Sequence, residues 1–413
     1  MNGTAAAAAA TAVAATAPSD GKLNLSSHGP TNGAQAMMPI SAAQYATSRI
    51  PPPPTDPGGR FWWDHFAPFV WAHLVASGRY SEDDIFSQLE ILRDGVITCL
   101  CLPTMAQHAM KPASSPFELS WNFTPQGNTV RYLFQPLDNG KLLQYLKVWE
   151  KHNARVDTRW FRQFEAEWVL RPGHKDYRVD GSLHGPDSHP DEMYSVQVLM
   201  SNDLVGAEAQ LKAYFLPNVL AHATGRSTEK MTLDMLRSLD PFGPELEPQV
   251  QQLEDFLQAC PYRYHVEMVG IDCSDPARAR IKVYVRITDA SRAALKYFVT
   301  RGNRLDDELT RAAVRDLDAC WHHFIDVPEG MPDDHDPPPK RPNSILRGIV
   351  CAATLSVATA DGEVRIRPYC PVSGYQANDR TAVRNFEGVL HKLGLGAAVE
   401  TFARGVDAAA RIV

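Results

Sequence analysis

The chain has 413 residues, of which 44% are hydrophobic and 22% are charged, and its net charge is −7. Without a basic excess, and without a run of about eighteen apolar residues, we expect neither nucleic acid nor a membrane as a partner. Seven cysteines without a C-x-x-C pair fit a reducing, cytoplasmic location better than a disulfide framework or a zinc site.

The first 59 residues differ in kind from the rest. They hold an alanine tract followed by serine, threonine, glycine and proline, with only four Asp, Glu, Lys or Arg side chains. Such a segment has too little apolar surface to offset its ordering entropy, and it lacks the basic and leucine-rich regions of a signal peptide. We therefore expect a disordered leader over 1–59 and one barrel domain over 60–413.

From Phe61 onwards, helical and strand patterns alternate. Acidic residues after Ser81 predict a helix start, and period-two runs at 116–123 and 130–137 predict the first two strands. The later expected elements are a helix at 141–170, strands at 194–200 and 210–216, a helical stretch at 247–259, strands near 263–269 and 279–287, a helix at 305–324, strands near 345–357 and 363–370, and a helix from Asp379 to Gly394.

Four strand pairs separated by helices predict an α+β fold with an antiparallel sheet. Consecutive strands favour antiparallel pairing, and the intervening helices must cover one face of the sheet. A closed barrel with the helices outside would remove the exposed edges. In the first strand, Glu118, Ser120 and Asn122 share the polar face, which would then line the barrel interior.

A cation and a tyrosine two residues apart recur in the second strand of three pairs. Because strand side chains alternate, both members of each pair point to the same face. One such strand is typical of a solvated surface, but the repetition indicates that the side chains converge inside the barrel. The pairs are Lys212 with Tyr214, Lys282 with Tyr284, and Arg367 with Tyr369, with Arg280 and Arg131 on the same faces of their strands.

Convergent cations repel one another unless an anion joins them, and a diphosphate is a natural partner for Arg and Lys side chains. Tyrosine rings can stabilise a carbocation by roughly 0.5–2 kcal/mol each and exclude the water that would quench it. A diphosphate beside a shielded carbocation predicts prenyl transfer.

Six short segments, in order, resemble the fungal indole prenyltransferases of the dimethylallyltryptophan-synthase type. The resemblance extends from Trp62 to about Asn385 and implies the ABBA barrel of that family, in which ten antiparallel strands from five αββα units surround a solvent-filled chamber. It also implies activity without a cofactor or metal. The segments are WWDHFAPF, PFELSWNF, VRYLFQP, LKAYFLP, RIKVYVR and RPYCPVSGYQANDR.

The resemblance also implies a role for each matching residue. Glu118 would accept the indole N–H, hold the acceptor and raise its nucleophilicity. The prenyl diphosphate site would comprise the remaining residues, with the cations binding the diphosphate and the tyrosines shielding the allyl cation: Arg131, Lys212, Tyr214, Arg280, Lys282, Tyr284, Arg367 and Tyr369.

Two local departures from the family bear on the substrates. Tryptophan-specific relatives carry a lysine in the strand before LKAYF, where this chain has Gln197 and Leu199, so free tryptophan is not a safe prediction. Relatives often place a tyrosine or glutamine facing the diphosphate where this chain has Cys351, Ala352 and Ala353. This change predicts either an incomplete shield or a larger acceptor pocket.

A third departure concerns the strand count, because the family needs five strand pairs and only four are recognised here. The tail after residue 393 is alanine-rich and more typical of a helix than of a hairpin. Either one pair escapes the pattern, or the last hairpin is missing and the barrel is open on one side.

Two groups of polar residues could be mistaken for metal sites. The acidic run Asp333, Asp334 and Asp336 lies among prolines that forbid the helix needed to align its carboxylates. His322 and His323 have no third ligand at ligand spacing. We predict a solvated loop and a surface histidine pair, and no metal site.

The sequence thus predicts an enzyme that moves a dimethylallyl group from dimethylallyl diphosphate to an indole-type acceptor, a tryptophan derivative or indole alkaloid, in fungal secondary metabolism. One alternative is a hydroxyaromatic or polyketide acceptor. Another is a non-catalytic barrel that binds a phosphorylated ligand. The sequence leaves open the acceptor, the regiochemistry, the prenyl chain length and whether the chain forms a homodimer.

Overall fold

The structure is a computed structural model that describes residues 11–13, 40–100, 116–124, 127–136, 142–153, 155–170, 197–340, 348–359, 362–370 and 372–412. Its strands are β1 (Thr11–Val13), β2 (Phe117–Thr124), β3 (Gly127–Phe134), β4 (Val198–Val205), β5 (Glu208–Phe215), β6 (Tyr264–Asp272), β7 (Arg280–Ile287), β8 (Ile349–Ser356) and β9 (Arg365–Tyr369). Its helices are α1 (Ala42–Thr47), α2 (Pro57–Ser77), α3 (Glu82–Ile91), α4 (Leu142–His152), α5 (Arg159–Trp168), α6 (Asn218–Thr224), α7 (Thr228–Ser238), α8 (Gly243–Gln258), α9 (Arg292–Val299), α10 (Glu308–Ile325), α11 (Val372–Tyr375), α12 (Asp379–Lys392) and α13 (Ala397–Ile412).

The strands form one antiparallel sheet in the sequential order β1 to β9. The sheet is strongly curled. In a flat sheet, β3 and β9 would lie six strand spacings apart, roughly 29 Å. Burial raises the pKa of Tyr369 on β9, but nearby positive charges outweigh burial and leave this pKa below its usual value. These charges include Lys282 and also Arg131 on β3. Arg131 and Tyr369 are thus close enough for their charges to interact, which fits a sheet curled about a concave face.

The predicted α+β fold with an antiparallel sheet and outer helices is confirmed, and among the described strands the sheet is open, which is one of the two alternatives that the sequence left. β1 and β9 end the sheet and do not pair with each other. Residues after α12 form helix α13 rather than a fifth hairpin, so the predicted helical tail is confirmed, and the described residues hold the four predicted strand pairs. Phe402 of α13 packs 4.7 Å from Phe386 and 6.3 Å from Phe123, as ring centroids. Helix α13 therefore covers the outer face of β2 at one end of the sheet.

The helices pack on the convex face of the sheet, where the apolar half of each strand is buried. Aromatic rings make most of this contact: Phe66 of α2 stacks on Phe117 at 4.5 Å, and Phe164 of α5 stacks on Phe215 at 5.0 Å. Because side chains alternate along a strand, burying this half leaves the polar half on the concave face. No described helix is long and apolar enough to cross a membrane.

Part of the predicted leader is folded, so the expectation of disorder over 1–59 is wrong for residues 40–59. Ser41 caps α1 through a capping box, and the ring of Tyr45 lies 5.4 Å from Trp71. Helix α2 begins at Pro57 with Asp56 as its N-cap. Ile40 is also buried. Residues 40–59 therefore bury some apolar side chains, although their average composition is polar. β1 also pairs with β2, and the rest of the leader lies outside the described residues.

The bounds of two predicted elements differ from the observed ones. The single helix expected at 141–170 is two helices, α4 and α5. The fourth strand is described from Val198 and runs on through Asn202, a residue poor in strand propensity, while residues 194–196 of the predicted strand lie outside the described residues. Asn202 is buried because its amide accepts from Trp149 Nε1 at 3.0 Å and donates to the Tyr132 hydroxyl at 3.0 Å. Helices α6, α7 and α9 were not predicted.

Candidate active site

The concave face carries the residues that the sequence pattern placed inside the barrel. Its side chains come from alternate positions of eight strands, and the register sets Glu118 opposite Leu133, Lys212 opposite Asp272, and Lys282 opposite Thr354. The strands therefore bring the predicted cations, tyrosines and carboxylate to one surface.

A cluster of cations occupies one end of this face. Lys212, Arg280 and Lys282 line a small cavity together with Tyr214, Gly270, Ile271 and Asp272. Gly270 is required there because a Cβ atom would lie 2.9 Å from the ring of Tyr214. The sequence prediction that these cations converge agrees with their placement around one cavity.

Two of these cations already have carboxylate partners that sequence reasoning missed. Lys212 forms an ion pair with Asp203, and Arg280 Nε lies 2.8 Å from Asp272 Oδ2. Burial lowers the pKa of Lys212 despite the nearby carboxylates, which favour its charged form. Asp272 could have been found from the strand register, since it stands directly opposite Lys212 and lies at the end of β6 next to the start of β7, where Arg280 bonds to it. An incoming anion would exchange with these carboxylates.

Three tyrosines form a row across β5, β7 and β9. The ring centroids of Tyr214 and Tyr284 are 5.9 Å apart, and those of Tyr284 and Tyr369 are 5.7 Å apart. Lys282 joins this row to the cations, because its Nζ donates to the Tyr369 hydroxyl at 3.3 Å. Burial holds the pKa of Tyr214 well above its usual range, so this phenol stays neutral. The row presents aromatic faces beside a cationic cavity.

Glu118 and the two outer arginines complete the predicted set. Burial raises the pKa of Glu118, while the positive charge of Arg131 opposes that rise. Arg131 stands opposite both Ser120 and Asp203 in the register. Arg367 is exposed on the end strand β9 and acts on Tyr369 only through its charge. Glu118 thus lies close enough to Arg131 to interact with its charge.

An apolar cluster occupies the concave face beyond the cations. Leu199 and Leu216 are buried together, and Leu133, Tyr214 and Met268 pack against them. Sequence reasoning noted Leu199 only as a missing lysine. We call these five residues the apolar cluster. In a chamber otherwise lined with polar groups, the apolar cluster offers a surface for a hydrophobic ring system.

The positions that depart from the family have specific surroundings. Gln197 accepts the backbone N–H of Leu170 at 2.7 Å and donates to its carbonyl at 3.1 Å, so it ties β4 to the end of α5. Cys351 and Ala353 belong to the outer core, and only Ala352 alternates onto the concave face. The small residue that matters to the chamber is therefore Ala352, opposite Tyr284.

The aspartate-rich loop is exposed to solvent, as predicted, and its Asp333 and Asp336 are also bonded to neighbouring residues. Asp333 pairs with Arg292, and Lys296 Nζ lies 2.8 Å from it. Asp336 accepts the backbone N–H of Ala290 at 2.9 Å. Over the described ranges, no three His, Cys, Asp or Glu side chains gather as metal ligands.

Solved structures share this architecture. AnaPT from Neosartorya fischeri matches with a TM-score of 0.67 at 18% identity and covers 83% of each chain. NotF in complex with brevianamide F and DMSPP matches with a TM-score of 0.66 at 16% identity, covering 85% of this chain and 87% of NotF. These matches define the fold as the ABBA class of antiparallel sheet with outer helices.

The sequence model of the family described as tryptophan dimethylallyltransferase matches residues 59–404, and the chain belongs to that family. It is an aromatic prenyltransferase, as the sequence predicted. Relatives include indole diterpene prenyltransferase idtF of Claviceps paspali, 26% identical over 81% of this chain and 83% of the relative. Indole prenyltransferase tdiB of Emericella nidulans is 27% identical (81% and 84%), and O-glucose prenyltransferase PaPT of Phomopsis amygdali is 26% identical (83% and 80%).

Proposed function

We propose that this protein transfers a dimethylallyl group from dimethylallyl diphosphate to an indole-type acceptor of fungal secondary metabolism, in the cytoplasm and without a metal. The observation that carries the proposal is the row of three tyrosines, which stands between the cationic cavity and the apolar cluster. A donor bound at the cations would place its allyl group against the rings, facing an acceptor on the apolar side.

The cations provide for the first chemical step. Lys212, Arg280 and Lys282 bind the diphosphate, with Arg131 and Arg367 adding charge from the neighbouring strands. The bond between the allyl carbon and oxygen breaks, and its electron pair leaves with the diphosphate. Cations already fixed around the leaving oxygens stabilise that charge without reorganising.

The tyrosines and the acceptor provide for the second step. The faces of Tyr214, Tyr284 and Tyr369 stabilise the allyl cation and keep water from it. The electron-rich ring then forms a bond to the allyl carbon, and the ring proton leaves to a basic oxygen, for which the released diphosphate is available. Glu118 accepts the ring N–H, so that its charge faces the positive charge developing on the ring.

Turnover of radiolabelled dimethylallyl diphosphate with a panel of indoles and phenols tests this proposal. We expect a labelled prenyl-indole as the main product. A relative named as an O-glucose prenyltransferase, at similar identity, supports a hydroxyl acceptor as the second candidate. Preferred labelling of phenols or sugars would favour that candidate, and donor binding without any product would favour a non-catalytic binder.

Metal independence has its own test. We expect turnover to survive an excess of EDTA, because side-chain cations take the place that magnesium has in other prenyl-diphosphate enzymes. Complete loss of activity that Mg²⁺ restores would overturn this part of the proposal.

A further inference from the structure

Glu267 is a buried carboxylate on the concave face that the proposed mechanism does not use. Val266 and Val269 both belong to the outer core. In a regular strand, two outward residues are separated by one inward residue, but here two residues lie between them. The register shifts between Val266 and Met268, and this β-bulge brings both Glu267 and Met268 to the concave side. Met268 packs on the apolar cluster and Glu267 pairs with Arg286.

One carboxylate oxygen of Glu267 lacks a partner. The residue is only 6% exposed, and its Oε1 lies 2.6 Å from Arg286 Nη2. Its Oε2 is shielded from solvent and accepts no hydrogen bond from any residue in the described part of the chain. A buried carboxylate oxygen without a donor is costly, so a ligand that supplied one would gain affinity. Met268, beside it in the chain, has a flexible side chain that can yield to such a ligand.

The apolar cluster lies between two carboxylates. Glu118 stands directly opposite Leu133, a member of the cluster, and Glu267 precedes Met268, another member. The charges of Glu267 and Arg286 offset each other within their ion pair, and a neutral hydroxyl at Oε2 would avoid the repulsion that a second carboxylate would meet there. An acceptor whose ring N–H reaches Glu118 would extend its body over the cluster towards Glu267.

We propose that Glu267 is a specificity-determining residue whose Oε2 accepts a hydrogen bond from a neutral donor, a hydroxyl, at the far end of an elongated apolar indole. The inference rests on the proposed function, since it names the class of acceptor for the same site. It separates such acceptors from amino-acid indoles, which would bring a carboxylate to the Glu267 end.

The test uses the full-length protein and indoles that carry an alkyl group of two to six carbons at position 3. For each length, three compounds are compared: one with a terminal hydroxyl, one with a terminal carboxylate, and the unsubstituted parent. Both kcat/KM with dimethylallyl diphosphate and Kd in the presence of a non-ionising donor analogue are measured. The variants are Glu267→Gln, the double replacement Glu267→Leu with Arg286→Met, and Glu363→Gln, which alters the partner of Arg301 outside the chamber. Thermal unfolding of each variant checks that it folds.

At the best chain length, we expect the hydroxyl compound to exceed its unsubstituted parent about tenfold in the wild type, the factor that one hydrogen bond to a charged group supplies. The double replacement should remove that preference, and Glu363→Gln should keep it. Glu267→Gln should raise use of the carboxylate series several-fold, because Arg286 then faces a neutral amide.

Equal use of hydroxyl and parent compounds by the wild type, or a preference that survives the double replacement, would overturn the inference. If no indole is turned over but the Kd preference behaves as expected, the proposed reaction fails and the binding role of Glu267 stands. Should Glu267→Gln unfold, the double replacement still decides, because it leaves neither charge buried alone.

Discussion

At the scale of single residues, the donor site is a balance between cations and carboxylates. Lys212 and Arg280 are each paired before any ligand arrives. These pairs reduce the repulsion between neighbouring cations, and a diphosphate would replace each carboxylate with a more highly charged anion. Two of the three cations around the cavity are thus balanced by carboxylates before an anion arrives.

Replacing Arg280 by alanine should raise the donor KM and lower kcat, because the diphosphate is held and its departing charge stabilised by that guanidinium. We expect a loss of roughly tenfold or more in kcat/KM. Arg278→Ala removes a nearby exposed charge from the turn before β7 and serves as the matched control. Kinetics of Arg280→Ala like those of the control would mean that the donor does not bind in this cavity.

Glu118→Gln separates a role in acceptor binding from a role as counter-charge for Arg131. The amide keeps the shape and a carbonyl acceptor but loses the charge that faces the ring. We expect kcat with an indole to fall on the order of tenfold to a thousandfold, with donor affinity largely kept. Weakened donor binding with intact turnover of the indole would assign Glu118 to Arg131 instead.

His73 makes the free energy of unfolding depend on pH. It is buried against Trp121, and burial lowers its pKa to about 4 from an ordinary value of 6.5. Between pH 6.5 and 4 the unfolded chain therefore binds more protons than the folded one, so the free energy of unfolding falls as the pH falls through this window. The loss amounts to about 3 kcal/mol for a shift of this size.

His73→Gln should flatten the fall in the unfolding midpoint between pH 6.5 and 4, measured by denaturant titration at a series of pH values. His65→Gln is the matched control, because His65 makes the same bond to a backbone carbonyl on the same helix but is exposed. A pH profile of His73→Gln that matches the wild type would assign acid unfolding to other groups.

At the scale of elements, the stretch before α2 behaves as part of the domain. Helix α1 packs Tyr45 on Trp71, and Arg49 pairs with Asp83 at 2.6 Å. The aromatic contact matters more than the ion pair, because both charged groups of that pair are well exposed. Burial of Ile40 and Tyr45 is worth a few kcal/mol at most.

Deleting residues 1–39 should therefore change the melting temperature little, whereas deleting residues 1–54 should lower it by several degrees. The longer deletion removes α1 but keeps Asp56, the N-cap of α2. Differential scanning calorimetry of the two proteins makes the comparison. Equal melting temperatures would show that α1 adds nothing to the stability of the domain.

At the scale of the whole molecule, the curl of the sheet creates the chamber. The sheet runs from β1 to β9 in sequential order, and α12 and α13 cover the outer face of β2 through Phe386 and Phe402. Arg367 is exposed because β9 ends the sheet. Cations near the middle of the sheet, such as Lys212, are buried by their neighbours on both sides.

The sequence by itself determined the strand pairs, the inward face of each strand and the convergence of cations with tyrosines. Those features follow from a period of two, which any strand obeys whatever it packs against. The segment 280–286 illustrates this, since every inward residue predicted there lies on the concave face.

Only the tertiary structure decided which charged side chains form pairs and which residues depart from the regular alternation of a strand. The pairing of Asp203 with Lys212, the folding of α1 onto α2 and the open edge between β9 and β1 all depend on contacts between distant segments. Glu267 is the sharpest case: alternation counted back from Val269 would turn it outwards, and the β-bulge between Val266 and Met268 leaves it in the chamber beside Arg286. A local pattern cannot register a bulge, because the extra residue exists only relative to the strand paired with it.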